Sequence, residues 1–219
     1  MAQRPIEITV FIDFMCPYTN RAALWLDQVK QKLGERNFTV NWKYFSLEQI
    51  NLPADAGDWK IWEQPENYTH PDPEWSNEHR GLLAFWAAEA ARQQGDAAFN
   101  RFRVHLFSAI HKRSLSPRFR MDDRRKLESV ALEASLDLNQ FLADFYNRKY
   151  LDALRRDHTE AVEKYSAFGV PTICFDDKNA IYLKLEEVPP LEDALPFFLN
   201  LRQNFTGRRW LAEIKRPNP

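Results

Sequence analysis

The feature that most limits the fold of this chain is the junction at Met15-Cys16-Pro17. Before it, Ile6 to Phe14 alternates and then becomes continuously apolar, the pattern of a strand entering the middle of a sheet. After it, Ala22, Ala23, Leu26, Val29 and Leu33 recur at three- and four-residue steps, an amphipathic helix with Gly34 at its C-terminal stop. A second strand is legible from Phe38 to Phe45, where Phe38, Val40, Trp42 and Tyr44 alternate with Thr39, Asn41 and Lys43. Strand, helix and strand in that order make a β-α-β unit with a right-handed crossover.

The remaining elements define a second half separated from the first. Asn51 to Trp75 is rich in proline but also carries Trp59, Trp62, Tyr68 and Trp75, and so reads as an ordered loop, because disordered segments are poor in aromatics. Ser76 to Arg113 reads as two helices, with Ser76 as N-cap and a break at Gly95-Asp96. A third follows Asp122 or Asp123, a fourth begins with the capping-box-like pair Asp137 and Gln140, and a fifth runs from about Leu151 to Tyr165. The period then returns to two in Thr172–Phe175 and Ala180–Leu185 around the turn Asp176–Asn179, a β-hairpin, and Pro190 to Phe205 closes as a helix. The expected organisation is residues 1–50 and 167–219 as two halves of one α/β unit, 51–75 as loop and 76–166 as an inserted helical domain.

Charge excludes several function classes. Lys+Arg 30 against Asp+Glu 31 leaves a formal net charge of −1, so no global field draws the protein to nucleic acid or to anionic lipid. The basic run His111 to Lys126 is a local exception whose default reading is a solvated face. No stretch approaches the roughly 18 apolar residues of a spanning helix, and the first residues lack the apolar core of a secretion signal. The expected setting is cytoplasmic, with no membrane and no nucleic-acid partner. The histidines show no metal-ligand spacing, so no metal is expected.

Two cysteines in 219 residues do not make a disulfide framework. Cys16 falls where a strand meets a helix, followed by Pro17, which suits a first helical turn because its missing N–H would have been unpaired. Free backbone amides and the positive end of the helix dipole stabilise a thiolate at such a place, so Cys16 is the candidate nucleophile. Cys174, inside an apolar strand, reads as a core residue. Phe168-Gly169-Val170-Pro171-Thr172 precedes that strand, and Val170-Pro171 is a candidate cis bond.

Together these segments resemble the thioredoxin fold, and more closely its DsbA-like branch, in which a helical domain is inserted between β-α-β and β-β-α halves. Asp13-Phe14-Met15-Cys16-Pro17-Tyr18-Thr19 is similar to that family's Asp-Phe-x-Cys-Pro-x-Cys segment, and Gly169-Val170-Pro171-Thr172 to its cis-proline loop. The resemblance implies a thiol oxidoreductase in which Val170, Pro171 and Thr172, with Pro17 and Tyr18, contact a peptide or a small thiol. Thr19 stands where the second cysteine of a redox pair would be, so no disulfide can form within the motif. Thr19 can instead donate a hydrogen bond to the Cys16 sulfur.

A single cysteine must be turned over by an outside thiol or by Cys174. The expected chemistry is attack by Cys16 on a disulfide or an electrophile. The expected partners are a disulfide-bearing protein or electrophilic small molecule and glutathione or another low-molecular-weight thiol as co-substrate, with no tightly bound cofactor. Two alternatives remain open at this point. One is a glutathione-dependent transferase or isomerase, as in the related kappa-class transferases and 2-hydroxychromene-2-carboxylate isomerases. The other is a thioredoxin-fold binding module without catalysis.

Overall fold

The computed structural model describes residues 5–75, 80–112, 119–208 and 210–214. Ser76, His79, Arg113, Ser116, Pro117 and Arg118, to which the sequence assigns a cap, a surface histidine, a helix break and part of the basic run, lie outside them.

Strand β1 (Ile6–Ile12) is the spine of a four-stranded sheet of order β2-β1-β3-β4. Helix α1 (Pro17–Leu33) follows, and β2 (Phe38–Tyr44) pairs parallel with β1, from Ile6 opposite Phe38 to Ile12 opposite Tyr44. Strands β3 (Thr172–Cys174) and β4 (Ala180–Tyr182) are antiparallel to each other, and β3 is antiparallel to β1, with Phe11 opposite Thr172. Side chains alternate across the pleat, so Ile6, Ile8, Val10 and Ile12 bury one face of β1, while on the other Glu7 is exposed, Thr9 half-buried and Phe11 buried. Ile8, Val10 and Ile12 join the larger core with Trp25, Leu26, Ile173 and Phe198, whereas Phe11 joins Cys174 and Ala161 in a smaller cluster.

Between the halves lie α2 (Leu47–Ile50), the loop, α3 (Leu82–Arg92), α4 (Asp96–His111), α5 (Arg124–Glu133), α6 (Leu138–Phe145) and α7 (Asp152–Tyr165). Helix α8 (Leu191–Gly207) closes the chain and is pinned to α1 by the Trp25 indole N–H, which donates to the Ala194 carbonyl at 2.9 Å. Of the two caps offered for α5, Asp123 is the one used, and it accepts from the amides of Arg125 and Lys126. Asp137 accepts from the Gln140 amide at the start of α6.

Three elements differ from the sequence reading. The hairpin ladder ends at Tyr182 rather than Leu185, because the Leu183 amide turns to the Pro171 carbonyl at 3.1 Å and the Leu185 carbonyl accepts from Arg21 at 3.0 Å. Helix α2, too short for a periodicity to show, is capped by Ser46, whose hydroxyl accepts from the Gln49 amide at 3.1 Å. The basic run is partly neutralised, since Arg124 pairs with Glu66 and Arg120 with Asp122.

Candidate active site

Strand β1 delivers the chain to a tight turn, Asp13-Phe14-Met15, whose geometry is set by one carboxylate. Asp13 Oδ1 accepts from the Met15 amide at 3.0 Å and Oδ2 from the Leu47 amide at 2.8 Å, tying the turn to the start of α2. Cys16 then sits as the N-cap of α1 with extended backbone and Pro17 in the first turn. Its side chain makes no capping bond, which leaves the sulfur available to something else.

That something is the other end of the chain. Cys16 Sγ donates to the Val170 carbonyl at 3.4 Å, and the peptide between Val170 and Pro171 is cis. The loop is held by Thr172, whose hydroxyl donates to the Gly169 carbonyl at 2.7 Å. Of the residues singled out in the sequence, Cys16, Thr19, Val170, Pro171 and Thr172 are buried, Tyr18 is half-buried and Pro17 is exposed. Cys16 shares its apolar surroundings with Phe11, Phe45, Ala161, Ala167, Val170 and Cys174.

The electrostatics of the sulfur correct one expectation. A helix N-terminus lowers a thiol pKa, but here burial is the largest influence and pushes Cys16 up from its ordinary value. The Thr19 hydroxyl and amide and the Tyr18 amide pull it down, while the Asp13 carboxyl adds to the upward push. The Thr19 hydroxyl is buried and meets no other partner, which leaves it to the sulfur. Cys174 is buried and free, and burial pushes its thiol to about 12.

Behind the turn lies a pair of buried acids, Asp13, which opens the motif read from the sequence, and Glu48, which carries no signal there. Asp13 is pushed up to about 7 by burial, against the two amides it accepts from. Glu48 is likewise pushed to about 7 by burial, although it accepts from the Tyr68 hydroxyl at 2.5 Å and the Gly81 amide at 2.7 Å. The aromatic loop serves this pair. Tyr68 packs on Trp59 at 5.9 Å, and His70 bonds the Glu48 carbonyl at 2.9 Å while stacking on Trp75. His111 lies on the same side, with Nε2 2.9 Å from the Phe14 carbonyl.

The exposed rim beside the sulfur is aromatic and cationic. The Tyr18 ring lies 5.2 Å from the Arg21 guanidinium and 5.1 Å from the Lys184 ammonium, and the Lys184 charge interacts with the Cys16 sulfur. Lys184 and Tyr182 belong to no motif in the sequence and come to the site only through the fold. Among the described residues, no group of three or more His, Cys, Asp or Glu is placed to hold a metal ion.

A cysteine at the strand-to-helix turn, facing a proline loop across an α/β sheet interrupted by helices, is the architecture that the resemblance to the DsbA-like family implies. The chain belongs to it: the model of the DSBA-like thioredoxin domain matches residues 7–195. Among curated proteins, it is 30% identical over 208 residues to the uncharacterised protein Rv2286c of Mycobacterium tuberculosis, covering 94% of this chain and 79% of that one. Among solved structures, it superposes with TM-score 0.59 and 16% identity on one from Streptomyces coelicolor, SCO1869, described as a probable DsbA oxidoreductase, covering 95% of this chain and 93% of that one. The α-DsbA1 of Wolbachia pipientis gives TM-score 0.54 and 16% identity, with 95% of this chain and 89% of that one covered. Among the described residues no helix is long and apolar enough to cross a membrane.

Proposed function

We propose that this protein is a thiol oxidoreductase that works through Cys16 alone. The observation that carries the reading is the 3.4 Å contact between Cys16 Sγ and the Val170 carbonyl, which joins the helix N-terminus to the proline loop across 154 residues of sequence. In the reaction, the Cys16 proton leaves, the sulfur attacks one sulfur of a disulfide R–S–S–R′, a Cys16–S–S–R bond forms and R′S⁻ departs. Ionisation also frees the Val170 carbonyl, which can then accept from the backbone N–H of an extended peptide laid beside it. The Thr19 hydroxyl, which meets no other partner, is the donor left to the thiolate.

Thr19 in place of a cysteine decides how the cycle closes. The mixed disulfide cannot be resolved from within the motif, so a small thiol such as glutathione, abundant in a reducing cytoplasm, attacks it, regenerates Cys16 and carries R away as a new disulfide. With no second sulfur in the motif, the adduct on Cys16 persists until such a thiol arrives. Pro17, Tyr18, Val170, Pro171 and Thr172 frame the substrate, and Cys174 stays in the core.

Mixing the reduced protein with a fluorogenic peptide disulfide tests this. One thiol is released per chain, turnover then halts, and added reduced glutathione restores it; Cys16→Ser releases nothing. Sustained turnover without added thiol, or activity retained in Cys16→Ser, would overturn the proposal.

A further inference from the structure

A continuous strip of exposed rings leads away from Cys16, and its composition is not explained by packing. Phe168, immediately before Gly169, is 69% exposed, an unusual position for a large apolar side chain. It meets the ring of Tyr182, itself 37% exposed, edge-on at 4.9 Å. Tyr182 lies against the backbone of the proline loop so closely that a Cβ on Gly169 would come within 3.2 Å of its ring. Lys184 sits next, 5.6 Å from the Tyr182 ring and 5.1 Å from that of Tyr18, which in turn borders Cys16 in the motif.

The charge on this strip is unbalanced. Arg21, also against the Tyr18 ring, spends its guanidinium on the Leu185 carbonyl and on Glu186. Lys184 takes part in no ion pair among the described residues, and its side chain is exposed. The strip therefore presents two aromatic rings, then a positive charge that meets the Tyr182 hydroxyl but no carboxylate, then the sulfur. Its successive separations of 4.9, 5.6 and 5.1 Å trace a path as long as about five residues of extended chain at roughly 3.3 Å each, so that several side chains of one extended segment can be met at once.

Resting on the reading of Cys16 above, the geometry points to an extended acidic peptide segment as the preferred occupant, with an apolar side chain on Phe168 and Tyr182 and an Asp or Glu carboxylate on Lys184, close to the half-cystine that Cys16 attacks. Lys184 is then a specificity-determining residue, and it discriminates by charge. Its neighbours Tyr18 and Tyr182 hold the ammonium over the site rather than letting it swing into solvent.

The test uses short labelled peptides that differ in one residue flanking a serine set in place of the half-cystine, acidic, neutral or basic, with affinity for the full chain measured by fluorescence anisotropy. The acidic peptide should bind about fivefold more tightly than the basic one at low salt, the scale of one exposed charge pair. That preference should fade at about 0.5 M salt. Lys184→Glu should reverse the order, and its circular dichroism should match the unmodified protein. Equal affinities, or an acidic preference that survives Lys184→Glu, would overturn the inference. An anionic small disulfide whose exchange depends on Lys184 while the peptides are not discriminated would overturn the peptide assignment. Because these peptides carry no sulfur, a chain that prefers acid but fails to exchange disulfides refutes the proposed reaction and not the docking surface.

Discussion

Replacing Asp13 with asparagine should change how stability varies with pH more than it changes stability at any one pH. The Asp13 carboxyl is 1% exposed, and burial raises its pKa from 3.8 to about 7. The folded protein therefore holds that proton over a range in which the unfolded chain has released it. Below about pH 4 both states are protonated and nothing is lost. As pH rises from about 4 towards 7 the unfolded state is increasingly favoured, and above 7 the loss is constant. A shift of about three pH units at 1.36 kcal/mol each corresponds to roughly 4 kcal/mol as an upper figure. The asparagine amide cannot ionise, and it can accept from the Met15 or the Leu47 amide but not from both, so Asp13→Asn should be about 1–3 kcal/mol less stable than the unmodified protein at pH 5. By pH 8 the gap should close or reverse. Urea unfolding at pH 5, 6, 7 and 8, followed by tryptophan fluorescence, gives both curves. Asp157 and His158, whose pKa values are also displaced, cancel in the difference, whereas Glu48, held up to about 7 partly by the Asp13 charge, titrates lower in the variant and adds to the closing of the gap. Parallel curves, with the same gap at every pH, would refute the placement of a largely protonated carboxyl beneath the Cys16 turn.

Other substitutions separate chemistry from packing. Thr19→Val removes a buried hydroxyl that has no partner other than the sulfur, so urea stability should hold or rise slightly, while the rate of Cys16 alkylation at pH 7 falls severalfold; unchanged alkylation would remove Thr19 from the site. Trp25→Phe deletes the bond to the Ala194 carbonyl and part of the contact with Phe197 and Phe198, and should cost about 1–3 kcal/mol in urea unfolding; a loss below about 0.5 kcal/mol would mean that α8 is not held through this indole.

What could be read along the chain was what depends on near neighbours. Cys16-Pro17 announces a helix start, Asp123 and Asp137 announce caps, and the doublet Val170-Pro171 before an apolar run marks the loop, because turn and capping chemistry acts over a few residues. The Ser46 to Gln49 spacing carried a capping signal for α2 that periodicity alone does not reveal in four residues. The direction of the Cys16 pKa was not legible, since it is decided by Ala161, Ala167 and Val170 closing around the sulfur from the opposite end of the chain. The same holds for Glu48, an ordinary acid in the sequence until Tyr68 and Gly81 enclose it, and for Lys184, which meets Tyr18 only because the hairpin returns beside α1.

If Cys16 alone carries the chemistry, a disulfide leaves its mark on that sulfur and on no other. Reduced protein mixed with an excess of a peptide disulfide and quenched in acid, then digested and weighed by mass spectrometry, should carry the peptide on Cys16, with Cys174 unmodified, and the adduct should persist until glutathione is added. A peptide found on Cys174, a bond between Cys16 and Cys174, or an unmodified Cys16 after prolonged exposure would contradict it.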